Sequence, residues 1–155
     1  MRAPLGVAKL IVDSCSKGNV GIVEAGRILR DHQGDILAAF GSFLGCQLII
    51  YTELMAVCEG LELVTQLRYS VLKVESHSAT VVSWIHSQGP VRWDYIYLLC
   101  RVCDLISSSH ILIRHVLRTL HLLLIFWPIG LALTGLAGIS CVLRIFLRAY
   151  LAFFI

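Results

Sequence analysis

The hydrophobic pattern changes period several times along the chain, and each change marks an element. Ala8–Cys15 carries the apolar run Leu10-Ile11-Val12 and reads as a strand, followed by a turn at Ser16–Asn19. Gly21–Arg30 alternates loosely, Asp31-His32-Gln33-Gly34-Asp35 is a hairpin signal, and Ile36–Cys46 reads as a third strand. From about Tyr51 the spacing turns helical: Leu54, Val57, Cys58, Leu61 and Val64 fall on one face of a helix that ends near Tyr69. Ser70–Ser76, with Val71, Leu72 and Val74, reads as a buried strand. Ala79–Ser87 reads as a short helix closed by Gly89-Pro90, Asp94–Ser107 as a further helix, and His110–Val116 as a last strand. Periodicity alone therefore predicts an α/β or α+β domain.

Beyond Arg118 the pattern has no polar face. Thr119 to Leu143 carries no fixed charge, a stretch longer than the ~20 apolar residues that span a bilayer, and Arg144 and Arg148 follow it. At face value this is a C-terminal membrane anchor. A soluble helix of this composition would have to be buried all round. The chain thus divides into a domain at 1–118 and an apolar tail at 119–155. The tail accounts for much of the mean hydropathy of +0.80.

Charge sharpens the division. All ten Asp and Glu lie between Asp13 and Asp104, and eleven of the thirteen Lys and Arg lie at or before Arg118. The domain is nearly neutral, which argues against tight nonspecific nucleic-acid binding driven by many phosphate contacts. The six cysteines show no disulfide-framework spacing and no secretory signal precedes them, so reduced thiols in the nucleus or cytoplasm are expected, with a membrane location only if 119–143 is a true helix. Cys100-x-x-Cys103 lacks a second pair for a zinc site and reads as core packing.

Four segments carry candidate chemistry: Lys9-Leu10-Ile11-Val12-Asp13-Ser14-Cys15-Ser16-Lys17-Gly18-Asn19, Tyr51-Thr52-Glu53-Leu54-Met55-Ala56, Val74-Glu75-Ser76-His77-Ser78, and Ile113-Arg114-His115-Val116. Taken singly, Asp13 is a turn carboxylate, Glu53 a solvated residue in a helix's first turn, His77 a strand-end histidine and His115 a packing residue. Taken in order, with Pro4-x-Gly6-x-x-Lys9 and Leu29-Arg30-Asp31-His32-x-Gly34, they resemble the type 1 ribonuclease H domain. The likeness is to its reverse-transcriptase-like form, common in plant genomes and retroelements, and covers residues 4–118. It implies a mixed five-stranded sheet in the order β-β-β-α-β-α-α-β, flanked by helices on both sides.

The resemblance also implies a chemistry. Four carboxylates hold two Mg²⁺ ions that cleave the RNA strand of an RNA–DNA hybrid, one ion helping to form hydroxide and the other stabilising the leaving oxygen. It places the first carboxylate at Asp13 and the second at Glu53, both as metal ligands. Asn19 falls where the family touches the RNA 2′-hydroxyls. The third carboxylate position holds His77, whose neutral ring adds no negative charge and is a softer ligand than Mg²⁺ favours. Ser14 stands for the small Gly that lets the backbone approach nucleic acid, and Ile49-Ile50 stand where Asn is frequent. The expectation is a domain that binds an RNA–DNA hybrid or RNA and cleaves it weakly or not at all. The alternatives are a tail-anchored membrane protein using the domain as a binding module, and a non-functional frameshifted product.

The codons of the tail bear on that last alternative. The likeness stops at Arg118, where the family continues into a terminal helix that carries its fourth carboxylate. Ile125-Phe126-Trp127-Pro128-Ile129-Gly130 is encoded ATH-TTY-TGG-CCN-ATH-GGN, and one base earlier the same bases read NAT-HTT-YTG-GCC-NAT-HGG. That frame forces Leu-Ala at its third and fourth codons and allows Asp-Phe-Leu-Ala-Asn-Trp, a sequence typical of the family's terminal helix. Residues 119–155 are therefore read as an out-of-frame translation of that helix.

Overall fold

The computed structural model describes residues 8–69, 71–109 and 111–117, so the apolar tail and the readings of it lie outside the described residues. The described chain forms β1 (Ala8–Lys17), β2 (Gly21–Arg30), β3 (Ile36–Gln47), α1 (Ile49–Gln66), β4 (Val71–Ser76), α2 (Ala79–Ile85), a 3₁₀ turn (Trp93–Tyr95) leading into α3 (Ile96–Ser109), and β5 (Leu112–His115). The element order is the expected one. The sheet order is β3-β2-β1-β4-β5. β1, β2 and β3 form an antiparallel meander, and β4 and β5 add in parallel to β1. The parallel pairs follow from α1 and α2–α3 acting as the crossovers such pairs need.

Strand alternation assigns the two faces of the sheet. Leu10, Val12, Ala25, Leu29, Val74 and Ile113 join Leu54, Val57 and Leu61 of α1, Val81 of α2 and Val102 of α3 in one core. The three described helices thus form a single layer on one face. The helix expected on the second face is not among the described residues. α1 seats tightly because Gly60 has no side chain: a Cβ there would lie 2.9 Å from Leu10 Cδ2 and 3.4 Å from Val12 Cγ1. Lys9, Ile11, Asp13 and Cys15 alternate onto the second face. Ile11 and Cys15 are buried there, as is Ile28 opposite Ile11 on β2.

Two boundaries differ from the sequence reading in ways that matter. β1 runs on to Lys17, two residues past the expected end at Cys15, which sets Asp13 well inside the strand. Gly18, at φ +90°, takes the left-handed conformation that turns the chain toward β2. At the other end of the meander, α1 begins at Ile49, two residues earlier than the apolar period indicates.

Candidate functional site

The β1–β4 register brings the candidate residues together. Val12 pairs with Ser76, so Asp13 on β1 and His77, the residue after β4, come next on the two neighbouring segments. Asp13 is 0% exposed, and its Oδ1 accepts a hydrogen bond from the Ser14 backbone N–H at 2.8 Å. Opposite it on β2 stands Gly26, which is also buried. This corrects the turn-carboxylate reading. Ser14 is also buried, on the face opposite Asp13.

Glu53 is the fifth residue of α1 and only 6% exposed, not a solvated residue of the first turn. The start of this helix is secured from a distance. Leu48 at the N-cap offers no capping side chain. Asn19, in the β1–β2 turn, accepts a hydrogen bond from the Ile49 N–H at 3.3 Å. One of the helix's open backbone donors is satisfied in that way. Asn19 itself is exposed, and its side-chain nitrogen takes no part in this bond.

His77 follows β4 directly. Its Nδ1 lies 3.0 Å from the Val116 carbonyl. In the neutral ring Nδ1–H donates to that oxygen, which leaves Nε2 as the acceptor nitrogen. Ser78 then starts α2, accepting from the Val81 N–H at 3.3 Å. Glu53 and His77 meet in a cleft of about 430 Å³, with Ile49, Ile50 and Ala79 as its apolar lining and Ser78 and Thr80 as polar neighbours. Asp13 does not line this cleft but lies beside it through the strand pairing.

Toward a pair of Mg²⁺ ions, Asp13, Glu53 and His77 offer two carboxylates and one imidazole. Such ions need several hard oxygen ligands in close array. Among the described residues no three His, Cys, Asp or Glu side chains are grouped so as to hold a metal ion, and His77 presents nitrogen where Asp13 and Glu53 present oxygen.

One residue near the site carries more structure than its sequence context suggests. Glu75, two before His77, is buried on the second face and bound by Arg114 of β5, whose Nε lies 3.1 Å from Oε1, and by Lys9 of β1, 3.4 Å from Oε2. Burial alone would push this carboxyl up, but the hydrogen bond from Arg114 and the charges of Lys9 and Arg114 outweigh it, so it titrates below its ordinary value. A pKa depressed by folding adds stability that is present above the unfolded value of about 4.3 and is lost as pH falls through the folded value. Glu75→Gln is expected to cost about 1–3 kcal/mol at neutral pH and to flatten that acid-side loss. Urea midpoints measured across acid pH check both effects.

Two lesser readings are corrected. Cys100 is exposed and Cys103 half-buried, so the CxxC pair is not core packing. His115 is exposed on the edge strand β5 and packs nothing into the core. Among the described residues no helix is long and apolar enough to cross a membrane.

Known proteins share this architecture. The sequence profile of the reverse transcriptase-like family matches residues 12–120. The RNase H1 of the halophilic archaeon Halobacterium salinarum superposes with a TM-score of 0.67 at 23% identity, over 73% of this chain and 87% of that one. The N-terminal RNase H domain of a Mycobacterium tuberculosis protein, solved as a fusion with maltose-binding protein, gives 0.65 at 22% identity, over 73% and 85%. An RNase H1 isolated from compost, solved in complex with an RNA/DNA hybrid, gives 0.65 at 16% identity, over 72% and 86%. No match was found among curated proteins. The mixed five-stranded sheet with its flanking helices is the ribonuclease H-like fold.

Proposed function

This chain belongs to the reverse transcriptase-like family, and on that premise we propose that it is a nucleic-acid-binding ribonuclease H-like domain in which hybrid hydrolysis is impaired. The observation that carries the reading is His77. It stands beside Asp13 and across the cleft from Glu53, with its ring tied to the Val116 carbonyl, where a carboxylate would complete the metal-binding array. Asp13 and Glu53 are the remaining candidate ligands for Mg²⁺. With only these two, the charge needed to hold two dications is missing.

The ligand in this reading is an RNA–DNA hybrid or RNA, entering along the β1–β2 turn and the start of α1. The solved relative that holds an RNA/DNA hybrid supports that choice of ligand. Asn19 contributes in two ways: its oxygen secures α1, and its amide N–H₂ is a donor for RNA 2′-hydroxyls. Ser14, with its side chain buried, can serve the ligand in this reading only through its backbone. The motifs also support an origin among plant retroelement sequences.

Asn19→Ala is expected to weaken binding of a labelled RNA–DNA hybrid by about fivefold to tenfold, the equivalent of one hydrogen bond of about 1 kcal/mol. Binding of duplex DNA of the same sequence should change much less. Fluorescence anisotropy measures both, and an equal loss on the two duplexes would remove the RNA-reading role.

For residues 119–155 the out-of-frame reading is preferred to the membrane anchor, because the shifted codons allow Asp-Phe-Leu-Ala seven positions after Arg118. The nucleotide sequence of the transcript across codons 117–131 separates the two. Asp-Phe-Leu-Ala in frame removes the anchor, and Ile-Phe-Trp-Pro in frame restores it.

A further inference from the structure

The two edges of the sheet are guarded unequally. β5, at one edge, is four residues long and carries Arg114 and His115. Short length and charge are common means by which an edge strand avoids pairing with another chain. β3, at the other edge, runs for twelve residues, Ile36–Gln47, without a charged residue or a proline. None of them is buried, and the apolar side chains of Ile36, Leu37 and Phe43 are exposed, that of Phe43 to 68%. Among the described residues no strand lies on the outer side of β3.

The remaining guard is a pair of bulges. Register shifts against β2 make Leu37 and Leu44 the extra residues of β3, toward its two ends. Between them Ala38–Phe43 pairs regularly, from Ala38 opposite Leu29 to Phe43 opposite Glu24. That leaves regular backbone about as long as an ordinary strand. Ser42 bonds Arg27 and Glu59 beneath α1, so alternation sends Ala39, Gly41 and Phe43 to the opposite face. The edge is self-complementary. An antiparallel copy related by a two-fold at Gly41 sets Phe43 beside the partner's Ala39 and Phe40 beside the partner's Ser42, large against small each time. No like charges meet, because the strand carries none.

We propose that β3 is an interface between two copies of this chain, which join edge to edge into one continuous sheet with Gly41 on the two-fold axis. The assignment is independent of the nucleic-acid reading above. Backbone hydrogen bonds supply the attraction, and the fit of Phe43 on the partner's Ala39 sets the register. The paired stretch is short, so the interface belongs at the low end of specific contact areas. Reversible dimerisation at concentrations on the order of 10 μM follows.

Sedimentation velocity of the full-length chain over a wide range of concentration tests this. Phe43→Lys changes an exposed position whose partner on β2 is Glu24, so the fold should tolerate it. It should weaken dimerisation by about tenfold, because each dimer loses two aromatic cross-strand contacts. Ala39→Glu should weaken it to a similar degree. An equimolar mixture of the two variants should dimerise more tightly than either alone, since the new lysine of one chain then faces the new glutamate of the other. A parent chain that stays monomeric overturns the proposal. So does a parent dimer that Phe43→Lys leaves unchanged, which would assign the association to another surface. A mixture that pairs no better than the single variants overturns the pairing centred on Gly41.

Discussion

Arg27→Ala is expected to lower the unfolding free energy by about 2–4 kcal/mol, the largest stability effect of any single substitution considered. Arg27 lies on β2 with its side chain 2% exposed beneath α1. Its Nε donates to the Ala56 carbonyl at 3.1 Å, and its Nη2 bonds Ser42 on β3 at 3.0 Å and pairs with Glu59 on α1. One guanidinium therefore ties two strands to the main helix. Burial lowers its pKa and Glu59 opposes that shift, while an arginine stays charged in either case. Truncation removes the second donor to the Ala56 carbonyl, leaves the Glu59 carboxylate without its cation and opens a gap against Phe40, whose ring centroid lies 6.0 Å from the guanidinium. The lower part of the range allows for Glu59, which is partly exposed and can rehydrate. Replacing both partners, as Arg27→Met with Glu59→Leu, should recover most of the loss, since apolar replacements of buried ion pairs are often neutral. Chemical denaturation of the single and double variants decides it. A loss below about 0.5 kcal/mol in Arg27→Ala, the range of ordinary surface changes, would show that the network holds nothing together.

His77→Asp is expected to raise Mg²⁺-dependent hybrid cleavage by on the order of a hundredfold, the rate equivalent of a few kcal/mol of charge stabilisation. The substitution supplies a third carboxylate beside Asp13 and Glu53 and replaces a nitrogen ligand with the hard oxygen Mg²⁺ prefers. It also removes the Nδ1–H donor to the Val116 carbonyl, so the variant should be less stable by about 1 kcal/mol in the absence of metal. Added Mg²⁺ should recover that stability in the variant and leave the parent chain unchanged, because only a state with a metal site gains from mass action. Thermal unfolding with and without Mg²⁺ provides a readout independent of cleavage. Unchanged cleavage together with an unchanged Mg²⁺ response would move the defect away from His77.

Much of this was legible in the sequence, and the failures have physical causes. The strands and α1 follow their apolar periods closely because each buries one face against the same core. The end of β1 was harder to place by pattern, since Ser16-Lys17-Gly18-Asn19 is turn chemistry. Pairing with β2 from Lys9 to Lys17 carries the strand into that stretch, an outcome set by tertiary structure. The cap from Asn19 to Ile49 joins residues thirty apart, and no local signal marks it. Arg27 offers a cation in a loosely alternating strand, and its partners at Ser42, Ala56 and Glu59 become visible only when α1 lies across the meander. In α3 the buried position is Val102, so the cysteines two before and one after it fall on the flanks of the helix. A pair count could not show that.

The role of His77 came from the resemblance, not from periodicity. The structure adds its bond to Val116 and its shared cleft with Glu53.

Binding and cleavage of one labelled RNA–DNA hybrid by the full-length chain in Mg²⁺, measured in the same samples by anisotropy and by gel, test the central claim most directly. The account predicts a saturable complex in which the RNA strand stays intact, or is cut at least about a hundredfold more slowly than by an intact ribonuclease H, the margin expected for a lost metal site. Rapid cleavage at the rate of an intact enzyme would contradict it, as would the absence of any complex.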